Sequence, residues 1–318
     1  MSTAWEKNRW RSHCKPALFT MSRPRRAAST TAVPVPLAMA ARAAVTGFVD
    51  RMMDKSPVVI AVVNNKGGVG KTTAAVNLAA ALAAPRRRVL LVDLDSQASA
   101  SSWLGVRRTH LRPSSATCLL QELPAQHAIR ATNVPHLDLI TGSVELANAD
   151  LALADVPGRE LTLKLALQRI RQQYDVIILD CSPTLSLLGV NALVAADALI
   201  VPVTPQPLAV EALVGLLASV ETVRLRLNTR GRLLGILFSI VDPAARKGPV
   251  LMKQLREQHG ADVFRTEIVA SRALEEAPMT AKTIFQYAPR SKAAEAFRRL
   301  ATEVLDRIRT RRVLSTQA

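Results

Sequence analysis

The feature that most constrains the fold is a loop at residues 64–73, which follows an apolar run at 58–63. The loop reads Asn-Asn-Lys-Gly-Gly-Val-Gly-Lys-Thr-Thr, and a helical pattern of small and apolar residues begins where it ends. Glycines let the main chain curl so that successive N–H groups point inward, and a helix N-terminus adds partial positive charge there. A strand, a glycine-rich turn and a helix in this order predict a phosphate-binding loop.

The residue types in this loop predict how it would hold a nucleoside triphosphate. Lys71 is expected to reach the β- and γ-phosphates, and the Thr72 hydroxyl is expected to bind Mg²⁺. A plain glycine turn is the alternative, but the Gly-Lys-Thr sequence between a strand and a helix argues against it. The predicted nucleotide-binding residues are Lys66, Gly67, Gly68, Val69, Gly70, Lys71, Thr72 and Thr73.

Two later apolar runs end in carboxylates. The run at 89–92 is followed by Asp93 and Asp95, and the run at 176–179 is followed by Asp180. The carboxyl ends of parallel strands face the ligand crevice of an open α/β sheet. An aspartate after four apolar residues is the Walker B arrangement, in which the carboxylate holds Mg²⁺, usually through water. We therefore expect Asp180 on the metal side, whereas Asp93 and Asp95 could instead cap the turn that follows them.

From residue 57 onward, apolar runs of strand length alternate with helical patterns. The sequence predicts strands at 58–63, 89–92, 137–140, 176–179, 199–203 and 233–240. It predicts helices at about 72–84, 160–173, 208–227, 249–259 and 292–309. Alternation of this kind implies a parallel sheet covered on both faces. The predicted fold class is therefore α/β, a P-loop NTPase with a doubly wound, mostly parallel sheet and helices on both faces.

Charge and composition narrow the class of protein. Among 318 residues, 42 are Lys or Arg and 25 are Asp or Glu, giving a net charge of +17, which favours polyanionic partners such as nucleic acid or acidic lipid. The three scattered cysteines exclude a disulfide framework and a Cys-x-x-Cys metal site. No uncharged apolar run reaches the ~18 residues of a membrane span. We expect a soluble or peripheral protein of a reducing compartment.

The first 56 residues differ from the rest of the chain. Residues 1–50 contain eight Lys or Arg, two acids and four prolines, without a sustained helical or strand period. We interpret 1–56 as a flexible basic extension, although a transit peptide or a translation start at Met52 or Met53 are alternatives. The predicted P-loop domain then spans 57–310, and a short basic tail spans 311–318.

The loop departs from the strict Gly-x-x-x-x-Gly-Lys-Thr pattern, because Asn65 stands where its first glycine would be, and it carries an additional lysine, Lys66. The form Lys-Gly-Gly-x-Gly-Lys-Thr resembles the deviant phosphate loop of the ParA/MinD family of P-loop ATPases. The resemblance implies ATP and Mg²⁺ as cofactors. It also implies that Lys66 reaches the partner's nucleotide across a two-fold interface, so that ATP binding drives formation of a homodimer. A solvated loop charge is the alternative for Lys66.

The same resemblance assigns catalytic roles. Asp95 matches the family's water-positioning aspartate, and Asp93 lies beside the metal region. The implied catalytic residues are Lys66, Lys71 and Asp95, and the implied activity is slow, Mg²⁺-dependent ATP hydrolysis. Ser96 stands where the family usually has proline, a departure that affects loop rigidity rather than charge.

Later segments resemble the chromosome and plasmid partition branch of the family. These segments are Glu275-Glu276-Ala277-Pro278 and the run at 287–296. The resemblance implies a cytoplasmic, nucleoid-associated ATPase that binds DNA non-specifically in its ATP state and works with a ParB-type centromere-binding protein. Ala270 and Ala273 stand where relatives often have arginine. Other basic residues would then contact DNA, and the candidates are Arg265, Arg272, Lys282, Arg290, Lys292, Arg298 and Arg299.

Alternative functions on this scaffold remain open from sequence. A MinD-like membrane ATPase needs a C-terminal amphipathic helix, and Phe297, Leu300, Val304 and Ile308 form an apolar stripe at helical spacing. Such a stripe more often packs against its own domain, so membrane association is not expected. An iron–sulfur reductase would need cysteine spacing that this chain lacks, and an ATP-dependent amidase would need a further substrate site that the sequence does not reveal.

Overall fold

The computed structural model describes residues 56–316, so the predicted extension and its alternative starts lie outside the described residues. One seven-stranded sheet organises this part of the chain. Its strands are β1 (Val58–Val62), β2 (Val89–Leu94), β3 (Ile129–Ala131), β4 (Leu137–Ile140), β5 (Val176–Cys181), β6 (Ala198–Val203) and β7 (Arg232–Phe238). The order across the sheet is β3-β4-β2-β5-β1-β6-β7, and the pairings are parallel except that of β3 with β4.

Eleven α-helices connect or flank these strands within the described residues. They are α1 (Lys71–Leu82), α2 (Ser99–Trp103), α3 (Ser115–Leu120), α4 (Ala149–Ala152), α5 (Thr162–Gln168), α6 (Leu187–Ala195), α7 (Pro207–Arg226), α8 (Gly248–His259), α9 (Arg272–Glu276), α10 (Ile284–Tyr287) and α11 (Lys292–Thr316). The predicted fold class, a doubly wound and mostly parallel α/β sheet, is confirmed.

The central strands are apolar throughout because both faces of the sheet are covered. Every residue of β1, β2, β5 and β6 is buried. Side chains of a strand alternate between faces, so Val59 and Ala61 enter one core while Ile60 and Val62 enter the other. Helices α3, α5, α6 and α7 cover the first core, and α1, α2 and α11 cover the second. This arrangement brings the carboxyl ends of β1, β2 and β5 to one edge.

The last helix explains the C-terminal apolar stripe. Phe297, Leu300 and Val304 are fully buried in the second core, and Ile308 is 9% exposed. The stripe therefore packs within the domain and is not a free amphipathic face. No helix in the part of the chain that the structure describes is long and apolar enough to cross a bilayer.

Helix α11 extends beyond the predicted end at 309 and continues through 311–316 of the predicted tail. Two arginines near its end bind the neighbouring strand, and Arg311 lies within the extension. The Arg307 guanidinium donates to the main-chain oxygen of Leu234 at 2.9 Å, and Arg311 donates to that of Leu233. These hydrogen bonds fasten the end of the helix to β7.

Candidate active site

The loop after β1 has the conformation of a phosphate cradle. Gly70 caps the N-terminus of α1 with a φ of 79°, a left-handed value that favours glycine. At Gly67 and Gly68, an added Cβ would meet nothing within 4 Å, so open space adjoins the main chain there. The first turn of α1 faces this space with its unpaired N–H groups. The loop can therefore bind an anion through its backbone.

Two buried side chains hold the loop in shape. The Asn64 side-chain amide donates to the carbonyl oxygen of Pro202 on β6 at 2.7 Å, and its oxygen accepts from the Lys66 N–H at 2.9 Å. The Ser239 hydroxyl, just after β7, donates to the carbonyl oxygen of Val69 at 2.6 Å. Contacts from β6 and from the residue after β7, on one side of β1, thus fix the loop.

Lys71 lies inside the cradle. Its side chain is 7% exposed, and its ammonium donates to the carbonyl oxygen of Lys66 at 2.9 Å. Burial lowers the pKa of Lys71, whereas the nearby carboxylates of Asp180 and Asp95 raise it. The loop therefore encloses its cation next to two acids, and the ammonium would direct positive charge at a bound phosphate.

Asp180, at the end of β5, is fully buried, and neither of its carboxylate oxygens has a hydrogen-bond partner among the described residues. Burial raises the pKa of Asp180 well above its usual range, and the neighbouring Asp93 raises it further. The Thr72 hydroxyl and the Lys71 ammonium favour its charged form, although Thr72 makes no hydrogen bond of ordinary geometry with it. A buried unpaired carboxylate is costly and calls for a bound cation.

The residues around Asp180 fit Mg²⁺ held mostly by a nucleotide. Thr72 lies in the first turn of α1, and Asp180 lies at the adjacent strand end. Within residues 56–316 there is no cluster of three or more His, Cys, Asp or Glu that could form an all-protein metal site. Mg²⁺ usually takes one or two protein ligands and completes its shell with phosphate oxygens and water. The donor set therefore matches the metal predicted from the sequence.

Asp93 is also fully buried, but its carboxylate is saturated. It accepts hydrogen bonds from the N–H of Asp95 at 3.1 Å, the N–H of Ser101 at 2.9 Å and the Ser101 hydroxyl at 2.6 Å. Burial raises the pKa of Asp93 to about 6, and these hydrogen bonds oppose the shift. Asp93 therefore secures the turn after β2, which was the structural alternative for this residue.

Asp95 and Lys66 lie at the mouth of the cradle. Asp95 is partly exposed, and one of its carboxylate oxygens accepts the N–H of Gln97 at 2.9 Å. Lys66 is also partly exposed, and its ammonium pairs with no carboxylate in the part of the chain that the structure describes. Both side chains are therefore accessible to a molecule outside the loop.

The loop after β5 begins with a buried thiol. Burial raises the pKa of Cys181 above its usual range, so this residue is a thiol that packs rather than a nucleophile. The hydroxyls of Ser182 and Thr184 lie 3.4 Å apart on the following turn, at the same edge of the sheet.

Sequence reasoning missed several residues of this site. Asn64 and Ser239 hold the loop through hydrogen bonds to residues distant in the chain. Ser101 holds the Asp93 carboxylate through its hydroxyl and its main-chain N–H. Ile240 has a φ of 52°, an unusual value for a β-branched residue, and it lines a cavity of about 100 Å³ beside Gly70. A polar residue directly after an apolar run marks Asn64 and Ser239, whereas Ser101 and Ile240 carry no such signal.

Known proteins are similar to this chain in sequence. A family model described as an AAA domain matches residues 58–232. The sporulation initiation inhibitor protein Soj of Bacillus subtilis is 40% identical over 246 residues, which cover 77% of this chain and 97% of that protein. The chromosome-partitioning ATPase Soj of Thermus thermophilus is 44% identical over 254 residues, covering 78% and 96% respectively.

A solved structure shares the fold as well. Cobyrinic acid a,c-diamide synthase from Mycobacterium smegmatis, with bound ADP and magnesium, superposes with a TM-score of 0.68 at 31% identity. The match covers 78% of this chain and 94% of that one. With the deviant loop, the Walker B strand and these relatives in agreement, the chain belongs to the ParA/MinD family of P-loop ATPases.

Proposed function

We propose that this chain is a partition ATPase that dimerises on binding ATP and Mg²⁺, binds DNA non-specifically in that state and hydrolyses ATP slowly. The observation that carries the proposal is Lys66, a partly exposed cation without an acidic partner among the described residues, at the mouth of the phosphate cradle. A second copy facing this edge would bring its own Lys66 to the phosphates. The Soj relatives, at 40% and 44% identity, support a partition role.

The site supports ATP with Mg²⁺ as the ligand pair. The main-chain N–H groups of the loop and Lys71 would bind the phosphates, while Thr72 and Asp180 would hold the metal. When bound, Mg²⁺ neutralises charge on the phosphate oxygens. The bound ADP and magnesium of the mycobacterial structure support an adenine nucleotide with magnesium here.

Hydrolysis would depend mainly on positioning and charge. Asp95 would orient the attacking water, and Lys71 would stabilise charge that develops on the γ-phosphate oxygens. Lys66 would add its charge only from a facing subunit. Because no arginine lies in the loop, turnover should be slow and suited to a timed switch.

Ion pairs reduce the set of basic residues that are candidates for DNA contact. Arg265, Arg272 and the pair Arg298 and Arg299 all lie within 4 Å of a carboxylate. Lys282, Arg290 and Lys292 are exposed and have no acidic partner among the residues described. We infer that these three, in and beside the connections around α10, make the principal contacts with DNA phosphates.

The partner and the location follow from the same proposal. A ParB-type centromere-binding protein would stimulate hydrolysis and release the ATPase from DNA, and the ATP state would associate with the nucleoid. The support is the similarity to partition relatives.

Co-sedimentation tests the proposal. Purified full-length protein is mixed with DNA or with anionic liposomes, in ATP or ADP, at low and high salt. We expect retention on DNA in ATP only, with steep loss at high salt because released counterions drive phosphate binding. The double variant Arg290→Gln/Lys292→Gln should bind DNA more weakly.

The matched control is Lys164→Gln/Arg169→Gln, which removes two exposed cations from the α5 region on the other core. Its DNA binding should stay at the wild-type level. Retention on liposomes alone would contradict the proposal and favour the MinD-like alternative, for which the buried stripe of α11 gives no free membrane face.

A further inference from the structure

We propose that Asp93 and Ser101 are positioning residues that fix the main chain of Asp95 for hydrolysis. The inference rests on the proposed function, because it requires Asp95 to act on the attacking water. It adds two buried residues to the reaction that the family resemblance does not assign.

The first step is the shared carboxylate. One oxygen of Asp93 accepts the Asp95 N–H at 3.1 Å, while the other accepts both the N–H and the hydroxyl of Ser101. Asp93 and Ser101 are both fully buried, so water does not compete for these bonds. The start of α2 and the turn carrying Asp95 are thus held by a single side chain.

The second step brings in the loop after β4. The Ser101 oxygen accepts the N–H of Gly142 at 3.0 Å. A Cβ on Gly142 would lie 2.5 Å from the carbonyl oxygen of Asp95 and 2.8 Å from a carboxylate oxygen of Asp93. The main chain at Gly142 therefore packs directly against the turn that carries Asp95. The Asp95 carbonyl also accepts the N–H of Ala98 at 2.9 Å.

These contacts matter because the Asp95 side chain has little support of its own. Its only hydrogen bond among the described residues is a local one from Gln97. The direction of its carboxylate therefore depends on where its main chain is held. A misplacement of about 1 Å can cost roughly 100-fold in rate.

The chain offers a matched control in Ser115. Its hydroxyl also donates to Asp93, at 2.7 Å, but to the main-chain carbonyl rather than to the carboxylate. Ser101 and Ser115 are 0% and 2% exposed. Removing either hydroxyl leaves a comparable buried gap, but only the Ser101 change acts on the group that holds Asp95.

Single-turnover ATP hydrolysis of the full chain tests the proposal, with Ser101→Ala, Ser115→Ala and Asp95→Ala compared. We expect Ser101→Ala to lower the rate about 10-fold with the KM for ATP changed less than twofold. Ser115→Ala should change both less than twofold. In an Asp95→Ala background, Ser101→Ala should cost less than a further twofold, because the two residues act through one group.

Ser101→Cys provides a second variant of nearly the same shape with a weaker donor, and it should lower the rate in the same direction. Equal rate losses in Ser101→Ala and Ser115→Ala, or full additivity with Asp95→Ala, would overturn the positioning role. If Asp95→Ala itself hydrolysed ATP at the wild-type rate, the role of Asp95 in the proposed function would fail instead. The two failures are therefore distinguishable.

Discussion

Asp93 and Asp180 face each other on neighbouring strands and have opposite surroundings. They are register partners on β2 and β5, and both are fully buried. The Asp93 carboxylate accepts three hydrogen bonds, whereas both oxygens of Asp180 lack a partner among the described residues. Two acids with the same burial and the same kind of strand thus differ in whether the protein supplies hydrogen bonds to their oxygens.

The difference distinguishes a carboxylate that stabilises the fold from one that binds a ligand. A buried carboxylate saturated by main-chain and hydroxyl donors stabilises the fold and holds its neighbours in place. A buried carboxylate without donors destabilises the fold until a cation arrives. We therefore expect changes at Asp93 to affect stability and geometry, and changes at Asp180 to affect the response to Mg²⁺ and nucleotide.

The largest effect should come from Asp180→Asn. We expect ATP hydrolysis to fall by roughly 100- to 1,000-fold, the range seen when one group that stabilises charge is lost. The free energy of unfolding without ligand should stay the same or rise, because an unpaired buried charge is removed. Phosphate release and urea unfolding, measured on one preparation, would check both results. A clear loss of unligated stability would show that Asp180 has partners in the fold.

The next effect concerns ligand stabilisation. At 100 times its Kd, a ligand that binds only the folded state stabilises it by about 2.7 kcal/mol. Wild-type protein should therefore melt at higher temperature with ATP and Mg²⁺ than with ATP and EDTA. Asp180→Asn should lose this dependence on Mg²⁺, while Ser115→Ala should keep it. Thermal melts with each addition provide the measurement, and equal Mg²⁺ shifts in wild type and Asp180→Asn would contradict the assignment.

A third buried acid, Glu303, is hydrogen-bonded as Asp93 is and extends the comparison. Glu303, on α11, accepts the N–H groups of Arg265 and Thr266 at 2.9 and 3.0 Å and pairs with Arg307 at 3.0 Å. Burial raises the pKa of Glu303, but these hydrogen bonds outweigh it and the pKa is lowered. Glu303→Gln should destabilise the fold by about 1–3 kcal/mol, with ATP hydrolysis unchanged. Urea unfolding and phosphate release check this, and a selective loss of hydrolysis would contradict a structural role.

The smallest effect should be a pH dependence. The pKa of Asp180 is raised by burial, as is that of Asp93. An acid with a raised folded pKa contributes stability below its unfolded pKa, about 3.9, and loses that contribution as pH rises through the folded value. The advantage of Asp180→Asn over wild type should therefore grow as pH rises above about 4. Unfolding of both proteins without Mg²⁺ at several pH values tests this, and a constant difference would contradict it.

The sequence predicts the family and the sheet well because their signals are local. Each of β1, β2 and β5 begins with an apolar run that a glycine-rich loop or an acid follows, and these strands form where expected, although β2 and β5 extend two residues beyond the predicted ends at 92 and 179. The phosphate loop and Asp180 lie at the predicted edge. Their catalytic and metal roles remain predictions that the geometry supports.

The sequence did not predict helices and strands that lack a local hydrophobic pattern. Helix α6, Leu187–Ala195, is buried over most of its length, so no polar face marks its helical period. Strand β3, Ile129–Ala131, has only three residues and pairs antiparallel at the sheet edge. The predicted helix at 160–173 is α-helical only over Thr162–Gln168, because 3-10 turns flank it.

The different surroundings of Asp93 and Asp180 were also beyond sequence reasoning. Both follow a buried strand, and both could have been metal ligands. What distinguishes them is Ser101, which donates to the Asp93 carboxylate from α2, while the N–H of Gly142, after β4, donates to the Ser101 hydroxyl. No spacing pattern in a single sequence marks Ser101 as a partner of Asp93.

Sedimentation velocity of Asp95→Ala with Mg²⁺ and either ATP or ADP tests the central claim most directly, since this variant should bind ATP but hydrolyse it far more slowly than the wild type. We predict a dimer in ATP and a monomer in ADP, and a monomer in both when Lys66→Ala is added. A monomer in saturating ATP, or a dimer that persists without Lys66, would contradict a switch in which each subunit completes the other's site.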